Sequence, residues 1–551
     1  MHSGGIPSGL PGREGETGTL VWTLRCDDIC ETLGPSASGS GLLAGFAALA
    51  VAELVSAAVR PQAGPLTAVG GATIDRTPTP VKDWAIRHFG EDDKLVLQLG
   101  ILAALAALAI VLGVVALRFR RAGAAGVLVF GVIGAAAALT RPDSSGFTDA
   151  LPSVVGAVVA AGLLYYLIGR LTQPPRAGRT TADPDRGAGW DRRGFVIGAS
   201  AAAVASLGVG ALGRYLTGNA SQAAVESRNA VRLPAPASPA PPLPSGTQLE
   251  VPGISRFTTS NKAFYRVDTA LVVPKVDADT WRLRIHGKGV TRPVTLTFED
   301  LMRRELIERD ITLTCVSNEV GGPYVGNARW LGVRLADVLA EAGVRPPSKG
   351  GPADQLVARS VDGMTLGSPV EAAMDGRDAM LAVGMNGQPL PFIHGFPVRM
   401  IIPGLYGYVS ACKWIEDIEL TTFGDYDPYW VKRSWARRAP IKTQSRIDVP
   451  KPLSRSKAGT VMVAGVAWAQ HRGIDRVQVR VDDGPWRDAD LATEANIDTW
   501  RQWSFPWEAT PGSHTLTVRA TERGGQVQTE KRTGTVPDGA SGWPSVVVTI
   551  D

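Results

Sequence analysis

Histidine is scarce in this chain, with six among 551 residues, and none falls inside a long apolar run. A haem held by two histidines within a membrane is therefore not expected. There is no C-x-x-C-H motif, so no covalently attached haem is expected either. Cysteine is as sparse, with four residues: Cys26, Cys30, Cys315 and Cys412. Cys26 and Cys30 form a C-x3-C pair without a nearby histidine, which does not suit zinc, and the sequence requires no disulfide. The chain also lacks a dense block of Lys and Arg, and its formal charge of +5 is modest for its length. Nucleic acid is accordingly not an expected partner. No internal repeat is visible.

What is present is uneven. The length exceeds one core, so several domains are expected. Residues 40–215 are rich in Ala, Val, Leu and Gly, whereas the part after residue 250 has the composition of an ordinary soluble protein. Five apolar segments, near 41–59, 95–117, 123–140, 152–169 and 194–213, are long enough to span a bilayer. An alternative is that one or two are buried or re-entrant helices. Glu53 lies inside the first segment. Such a carboxylate is a functional candidate by default, or it reaches the interface from near the end of the span.

Arginine sets the expected orientation. Arg118, Arg120 and Arg121 follow the second segment, and Arg170, Arg176, Arg179, Arg186, Arg192 and Arg193 follow the fourth. Arg141 after the third is offset by Asp143 and Asp149. Basic loops inside place the amino terminus in the cytoplasm, and the 60–94 loop and everything after residue 215 outside. The 60–94 loop is the exception, with five basic and five acidic residues. Asp191-Arg192-Arg193-Gly194-Phe195 reads either as a twin-arginine export signal or as ordinary positive flanking. Residues 1–39 lack a pattern and read as flexible. The Pro/Ala tract within 216–249 reads as an extended spacer.

Residues 250–438 mix short strands and helices. Trp281 to Ile285 alternates as a strand. Thr297 caps a short helix with Asp300 three residues on, and Leu335 to Ala342 reads as another helix ended by Gly343. Residues 439–551 alternate more strongly, at 461–468, 477–481 and 514–520, with turns such as Asp482-Asp483-Gly484-Pro485 between them. That spacing reads as a β-sandwich.

Cys315 ends the apolar run Ile311-Thr312-Leu313-Thr314. A lone cysteine there is more often a small buried residue than a ligand. Its neighbours change the reading. Asn261-x-x-Phe264-Tyr265-Arg266 and Asp277-x-Asp279-Thr280-Trp281-Arg282-Leu283 precede it. Ala328-Arg329-Trp330-x-Gly332-x-Arg334-Leu335 and the segment Ser360 to Pro369 follow. Then come His394-Gly395-Phe396-Pro397-Val398-Arg399, Pro403-Gly404-Leu405-Tyr406-Gly407-Tyr408 and Lys413-Trp414. In this order they resemble the molybdopterin-binding core of the sulfite oxidase family. The resemblance implies an α+β fold, molybdenum held by molybdopterin, and transfer of one oxygen atom to or from a small substrate. It implies Cys315 as the metal ligand, with Asn261, Phe264, Tyr265, Ser360, His394, Arg399, Ala411, Cys412 and Lys413 along the cofactor. The Cys412 side chain itself reads as a buried bystander. Arg266, Arg282 and Arg329 are candidates to hold an anionic substrate beside Cys315.

The chemistry agrees with those roles. A thiolate is a soft donor suited to a metal also held by sulfur. Arginine offers a phosphate a planar fork and lysine offers a point charge, which suits Arg399 and Lys413. His394 can donate to the pterin or phosphate. Gly404 and Gly407 allow close backbone approach.

The chain departs from the family in two places. Glu319 and Val320 stand where the family carries arginines after its cysteine, and an acid there weakens oxyanion binding. Trp435 takes the place of the family's active-site tyrosine. Sulfoxides and other small oxo acceptors therefore stand beside sulfite as candidate substrates. The run Gly465-x-Ala467-Trp468-x-x-His471-Arg472-Gly473-Ile474 with Trp500 and Trp503 resembles the family's dimerisation domain, which implies an immunoglobulin-like fold and a homodimer.

The expected architecture is thus multi-domain. An all-α transmembrane bundle is followed by a sulfite-oxidase-like α+β domain and then an immunoglobulin-like sandwich. The expected function is a molybdenum oxidoreductase anchored in the cytoplasmic membrane, its catalytic domain on the outer side. Its partners are the bilayer, an oxo donor or acceptor, and a separate electron carrier, either a cytochrome or a quinone. The rivals are a sulfoxide reductase with the same cofactor and a membrane-tethered binding module without catalysis.

Overall fold

The computed structural model describes residues 17–551 except 79–80, 82–83, 85–87, 90–92, 142–143, 145 and 173–191. Asp143, Arg176, Arg179, Arg186 and Asp191 of the orientation and export readings lie outside the described residues. The chain divides into two units, Met1–Asn219 and Ala220–Asp551.

In the first unit, α1 runs over Thr17–Val59, α2 over Pro65–Arg76, α3 over Asp93–Arg118, α4 over Arg120–Leu139 and α5 over Leu151–Thr172. The last helix, α6 (Arg192–Ala230), contains the division between the units. Helix α1 starts at Thr17, inside the segment expected to be flexible, so residues 17–39 correct that expectation. Among the described residues, five helices are long and apolar enough to cross a membrane: Leu33–Val59, Lys94–Arg118, Arg120–Leu139, Phe147–Thr172 and Arg193–Ala230.

Small residues let these helices approach closely. A Cβ on Gly41 would stand 1.9 Å from the Ala109 carbonyl oxygen, and one on Gly113 2.2 Å from that of Ala37. Helices α1 and α3 therefore meet backbone to backbone, the packing mode expected where lipid removes the hydrophobic drive between helices. Glu53 is half-buried in α1. Among the described residues of this unit, Asp149 is a fully buried carboxylate, paired with Arg60 at 2.7 Å.

The second unit opens with a correction. Residues 216–230 belong to α6, and the Pro/Ala tract after them is not a free spacer. Val231 and Leu233 pack on the core. The Ser238 amide donates to the Leu306 carbonyl, and the Glu308 amide donates to that of Ser238. The tract therefore lies along a strand edge and satisfies its unpaired groups, as an exposed edge demands.

The strands and helices that build the site follow in order. They are β1 (Arg282–Gly287), β2 (Val294–Thr297), α7 (Phe298–Met302), β3 (Leu306–Thr314), β4 (Val325–Arg334), α8 (Leu335–Glu341), β5 (Gln355–Ser360), β6 (Thr365–Pro369), α9 (Val370–Met374), β7 (Met380–Met385), β8 (Gln388–Pro389), β9 (Arg399–Ile401), α10 (Gly407–Ser410) and β10 (Ile415–Thr421). One sheet has the order β2-β1-β10-β5-β6, the other β3-β4-β7-β8 with β9 also on β7. Thr297 caps α7 with a reciprocal capping box to Asp300, as its sequence suggests. The buried indoles of Trp281 and Trp330 donate to the Ile415 and Ile311 carbonyls at 2.7 and 3.1 Å.

The remaining strands are β11 (Gln444–Val449), β12 (Arg455–Ser456), β13 (Gly459–Trp468), β14 (Ile474–Val481), β15 (Arg487–Asp488), β16 (Asp490–Leu491), β17 (Arg501–Ala509), β18 (Gly512–Glu522) and β19 (Ser545–Ile550). They form sheets β11-β13-β17-β16 and β12-β19-β18-β14-β15, which share a core of residues such as Val463, Trp503, Phe505, Leu516 and Val548. This part is not detached at residue 439. Trp468 and Trp500 enter the central core, the Trp500 indole donates to the Phe257 carbonyl at 2.9 Å, and the Thr312 amide donates to that of Asp498.

Candidate active site

Strand β3 carries Cys315 at its end. The β3–β4 pairing closes at Thr314 opposite Val325, and the Cys315 amide donates to the Tyr324 carbonyl at 3.0 Å. The loop is pinned by Asn318, whose buried side chain accepts from the Tyr324 amide at 2.7 Å. Cys315 is a free, half-buried thiol. Burial raises its pKa, opposed by hydrogen bonds from Ser317 and by the charge of Lys413.

The Cys315 thiol lines a cavity together with Phe264, Tyr265, Ser360, His394, Arg399, Ala411 and Lys413. The structure therefore gathers, from five stretches of chain, most of the residues expected along the cofactor. Asn261 stands just behind: its carbonyl meets His394 Nε2 at 2.8 Å, and its side-chain oxygen accepts from Asn386. Burial lowers the His394 pKa to about 4. A neutral ring with Nε2–H directed at a carbonyl leaves Nδ1 as an acceptor. His394 thus orients a loop rather than offering a second N–H. Cys412 is fully buried and does not line the cavity.

Arg399 on β9 is the decisive residue. It is 6% exposed, and among the described residues its side chain meets no carboxylate. One Nη donates to the His394 carbonyl at 3.2 Å, the guanidinium lies 5.1 Å from the Trp330 ring centroid, and Nε has no partner. Burial lowers its pKa to about 10. A buried, uncompensated cation with an unused donor is costly unless an anion completes it. A cofactor phosphate is such an anion, so the residues present fit the group. Lys413 adds a second buried cation. Its ammonium lies 2.8 Å from Asp268 and 4.8 Å from the Trp414 centroid, and burial lowers its pKa.

Local geometry brings these groups together. Gly395 has φ +108°, and a Cβ there would stand 3.1 Å from Arg399 Cβ and from Lys413 Cα. Only glycine lets the His394 turn close on both cations. Trp414 holds a left-handed backbone (φ 49°), with its indole donating to the Phe392 carbonyl at 2.8 Å.

The three arginines considered for substrate are committed elsewhere. Arg266 does not line the cavity and pairs with Asp268 at 2.9 Å. Arg282 is exposed and donates to the Asp279 and Trp281 carbonyls. Arg329 forks onto Asp310 across the β3–β4 ladder, with a shortest contact of 2.7 Å. Strand alternation turns these last two away from the cavity. Glu319 is exposed and does not line the cavity either, so it does not act on a bound anion by contact.

Sequence reasoning gave no individual role to Asp268, Asp362 or Tyr408, which also line the cavity. Asp268 was detectable as the acid two residues after Arg266. Burial raises the Asp362 pKa. Tyr408, Trp430 and Trp435 form an aromatic wall, with ring centroids 5.6 Å apart for Tyr408–Trp435 and 6.2 Å for Trp430–Trp435.

Known proteins are similar to this part of the chain. Residues 270–430 match the model of the oxidoreductase molybdopterin binding domain. Mitochondrial sulfite oxidase of Rattus norvegicus is 31% identical over 290 residues, covering 45% of this chain and 53% of that protein. The human enzyme is 30% identical over 315 residues, covering 49% and 57%. Nitrate reductase [NADH] 1 of Oryza sativa subsp. japonica is 35% identical over 181 residues, covering 29% and 19%. Among solved structures, the sulfane dehydrogenase SoxCD of Paracoccus pantotrophus aligns with a TM-score of 0.46 at 23% identity, over 54% of this chain and 84% of that one. The chain spans about half the length of the sulfite oxidases it matches. With Cys315 and an uncompensated Arg399 facing one cavity inside the matched region, residues 270–430 are an oxidoreductase molybdopterin binding domain similar to that of the sulfite oxidases, and the cofactor this domain implies is molybdenum held by molybdopterin.

Proposed function

We propose that the protein transfers an oxygen atom to or from a small neutral sulfur compound, with a sulfoxide favoured over sulfite. The observation that supports the cofactor half of this reading is the buried Arg399, which lacks a carboxylate partner and shares a cavity with Cys315. When bound, the molybdenum cofactor supplies two-electron oxygen-atom exchange. Cys315 would hold the metal as a thiolate. Arg399 would take the phosphate with its free donor and Lys413 would add charge. Asn261 and His394 would fix the loop that carries them, and Phe264 and Tyr265 would lie along the pterin.

The substrate half is supported by what remains. The cations that line the cavity are Arg399 and Lys413, and both suit the cofactor. With Arg266, Arg282 and Arg329 committed to acids or carbonyls, no further cation among the described residues lines the cavity to hold an oxyanion. Tyr408, Trp430 and Trp435 offer ring faces and edges instead, which suit a neutral sulfur substrate and keep water out. In that direction a sulfoxide, two electrons and two protons give a thioether and water. Sulfite oxidation is the second reading, favoured by identity to the sulfite oxidases.

The remaining proposals concern setting. The five apolar helices support anchoring in the cytoplasmic membrane, and the arginine bias of the sequence supports a catalytic unit on its outer side. The two-sheet C-terminal part is immunoglobulin-like and pairs two chains. Electrons pass to or from a separate carrier.

The test is a substrate screen on molybdenum-loaded protein. Reduced viologen would be oxidised by sulfoxides, and ferricyanide would be reduced by sulfite. Turnover of sulfoxides at a kcat/KM well above that for sulfite supports the proposal. Sulfite turnover alone would reverse it in favour of the second reading.

A further inference from the structure

Strand β3, which carries Cys315 at its end, stands at the end of its sheet with β4 on one side. Its other side is taken by two loops of the C-terminal sandwich. The Asn496 side chain donates to the Asp310 carbonyl at 3.0 Å, and the Thr312 amide donates to the Asp498 carbonyl at 2.9 Å. The Trp500 amide donates to the Thr312 hydroxyl at 2.8 Å.

The second loop, between β13 and β14, is braced against the first. His471 holds a left-handed backbone (φ 63°), a conformation a non-glycine residue keeps only when its surroundings fix it. The His471 amide donates to the Ile497 carbonyl at 3.1 Å, and its Nδ1 lies 3.3 Å from an Asp498 carboxylate oxygen. This turn aims Gln470 at β3. The Gln470 side chain is fully buried. Its Nε2 donates to the Thr312 carbonyl at 3.1 Å and to the Thr314 hydroxyl at 3.0 Å. An amide nitrogen carries two N–H groups, so both bonds form at once.

Thr314 is the last residue of β3 and directly precedes Cys315. From the β4 side the Cys315 amide is held by the Tyr324 carbonyl at 3.0 Å. The strand end that carries the thiol is therefore gripped from both edges. A metal ligand has to be held to within about 0.5 Å, and groups that buttress it supply that precision. We propose that Gln470 is a positioning residue for Cys315, acting through Thr312 and Thr314, so that the C-terminal sandwich sets the place of the thiol that would ligate the metal. The part that concerns the metal rests on the cofactor reading above; the placement of the thiol does not.

The test uses the full chain and two variants that keep side-chain volume, Gln470→Met and Thr314→Val. In cofactor-free protein, iodoacetamide labelling is followed by peptide mass spectrometry. Cys315 should be alkylated about threefold to tenfold faster in both variants, the loss of one hydrogen bond at the strand end. Cys412, which is fully buried, should keep its wild-type rate. In molybdenum-loaded protein, the Mo(V) electron paramagnetic resonance g-values, which report metal–thiolate geometry, should shift. Thr314→Ser keeps the hydroxyl and should restore both readouts. Leu516→Ala, in the sandwich core, should lower thermal stability and move neither. Unchanged Cys315 labelling and g-values in both variants, or equal changes at Cys412 or in Leu516→Ala, overturn the proposal. Wild-type protein that binds no molybdenum overturns the cofactor reading alone, because the labelling is read without metal.

Discussion

Replacing Arg399 with methionine should stabilise the cofactor-free protein while emptying it of cofactor. Burial lowers the Arg399 pKa from 12.5 to about 10. At about 1.4 kcal/mol per pKa unit, holding the charge in the empty site costs roughly 3 kcal/mol. Two contacts offset part of this: the bond to the His394 carbonyl and the approach to Trp330. Together these contribute about 1–2 kcal/mol. Methionine keeps most of the packing, so the net gain in the empty protein is about 1–2 kcal/mol. A phosphate bond to a charged donor contributes about 1.5–3 kcal/mol, so cofactor retention should fall by about tenfold or more. Thermal unfolding of protein made without cofactor synthesis, with and without Arg399→Met, reads the first effect. Molybdopterin content of protein made with synthesis intact reads the second. A variant that melts lower when empty, yet retains wild-type cofactor, would refute the reasoning, because Arg399 would then be a structural cation.

Further outcomes follow from other groups. Gly395→Ala, at φ +108° and 3.1 Å from Arg399 and Lys413, should cost about 1–3 kcal/mol and lower cofactor content, measured by unfolding and elemental analysis. His394 is depressed to about 4 against an ordinary 6.5. The unfolded chain therefore binds a proton between these values that the folded chain does not, so stability falls as pH drops from 6.5 to 4. The stability at stake is about 3 kcal/mol. His394→Gln should flatten that part of the stability–pH curve, and an unchanged slope would refute the burial argument. Trp435→Ala should lower kcat/KM for sulfoxides about tenfold or more with molybdenum content unchanged, a loss of roughly 1.4 kcal/mol or more in transition-state binding.

Cys315, His394, Arg399 and Lys413 were legible in the sequence because each sits in a short local motif whose order survives without structure. The five long apolar helices were legible because a run of about twenty apolar residues has few other fates. Pairings across long separations were not. Asp268 meets Lys413 from 145 residues away, and Asp149 meets Arg60 from 89. No local pattern announces such contacts. The Pro/Ala tract misled for a related reason: composition gives its extended conformation but not the β3 edge that Ser238 covers. Arg282 and Arg329 misled because a strand arginine points to one face or the other, and one sheet partner decides what it meets. Trp500 shows why the boundary at 439 was too sharp. It sits among strands that alternate as their own domain, yet its indole is bonded to Phe257.

The molybdenum content of purified wild-type protein beside Cys315→Ser, each made with cofactor synthesis intact, decides whether Cys315 and Arg399 face a molybdenum cofactor. Close to one molybdenum per wild-type chain and a folded Cys315→Ser protein without turnover are expected. Wild-type protein that is folded and free of molybdenum would contradict that assignment.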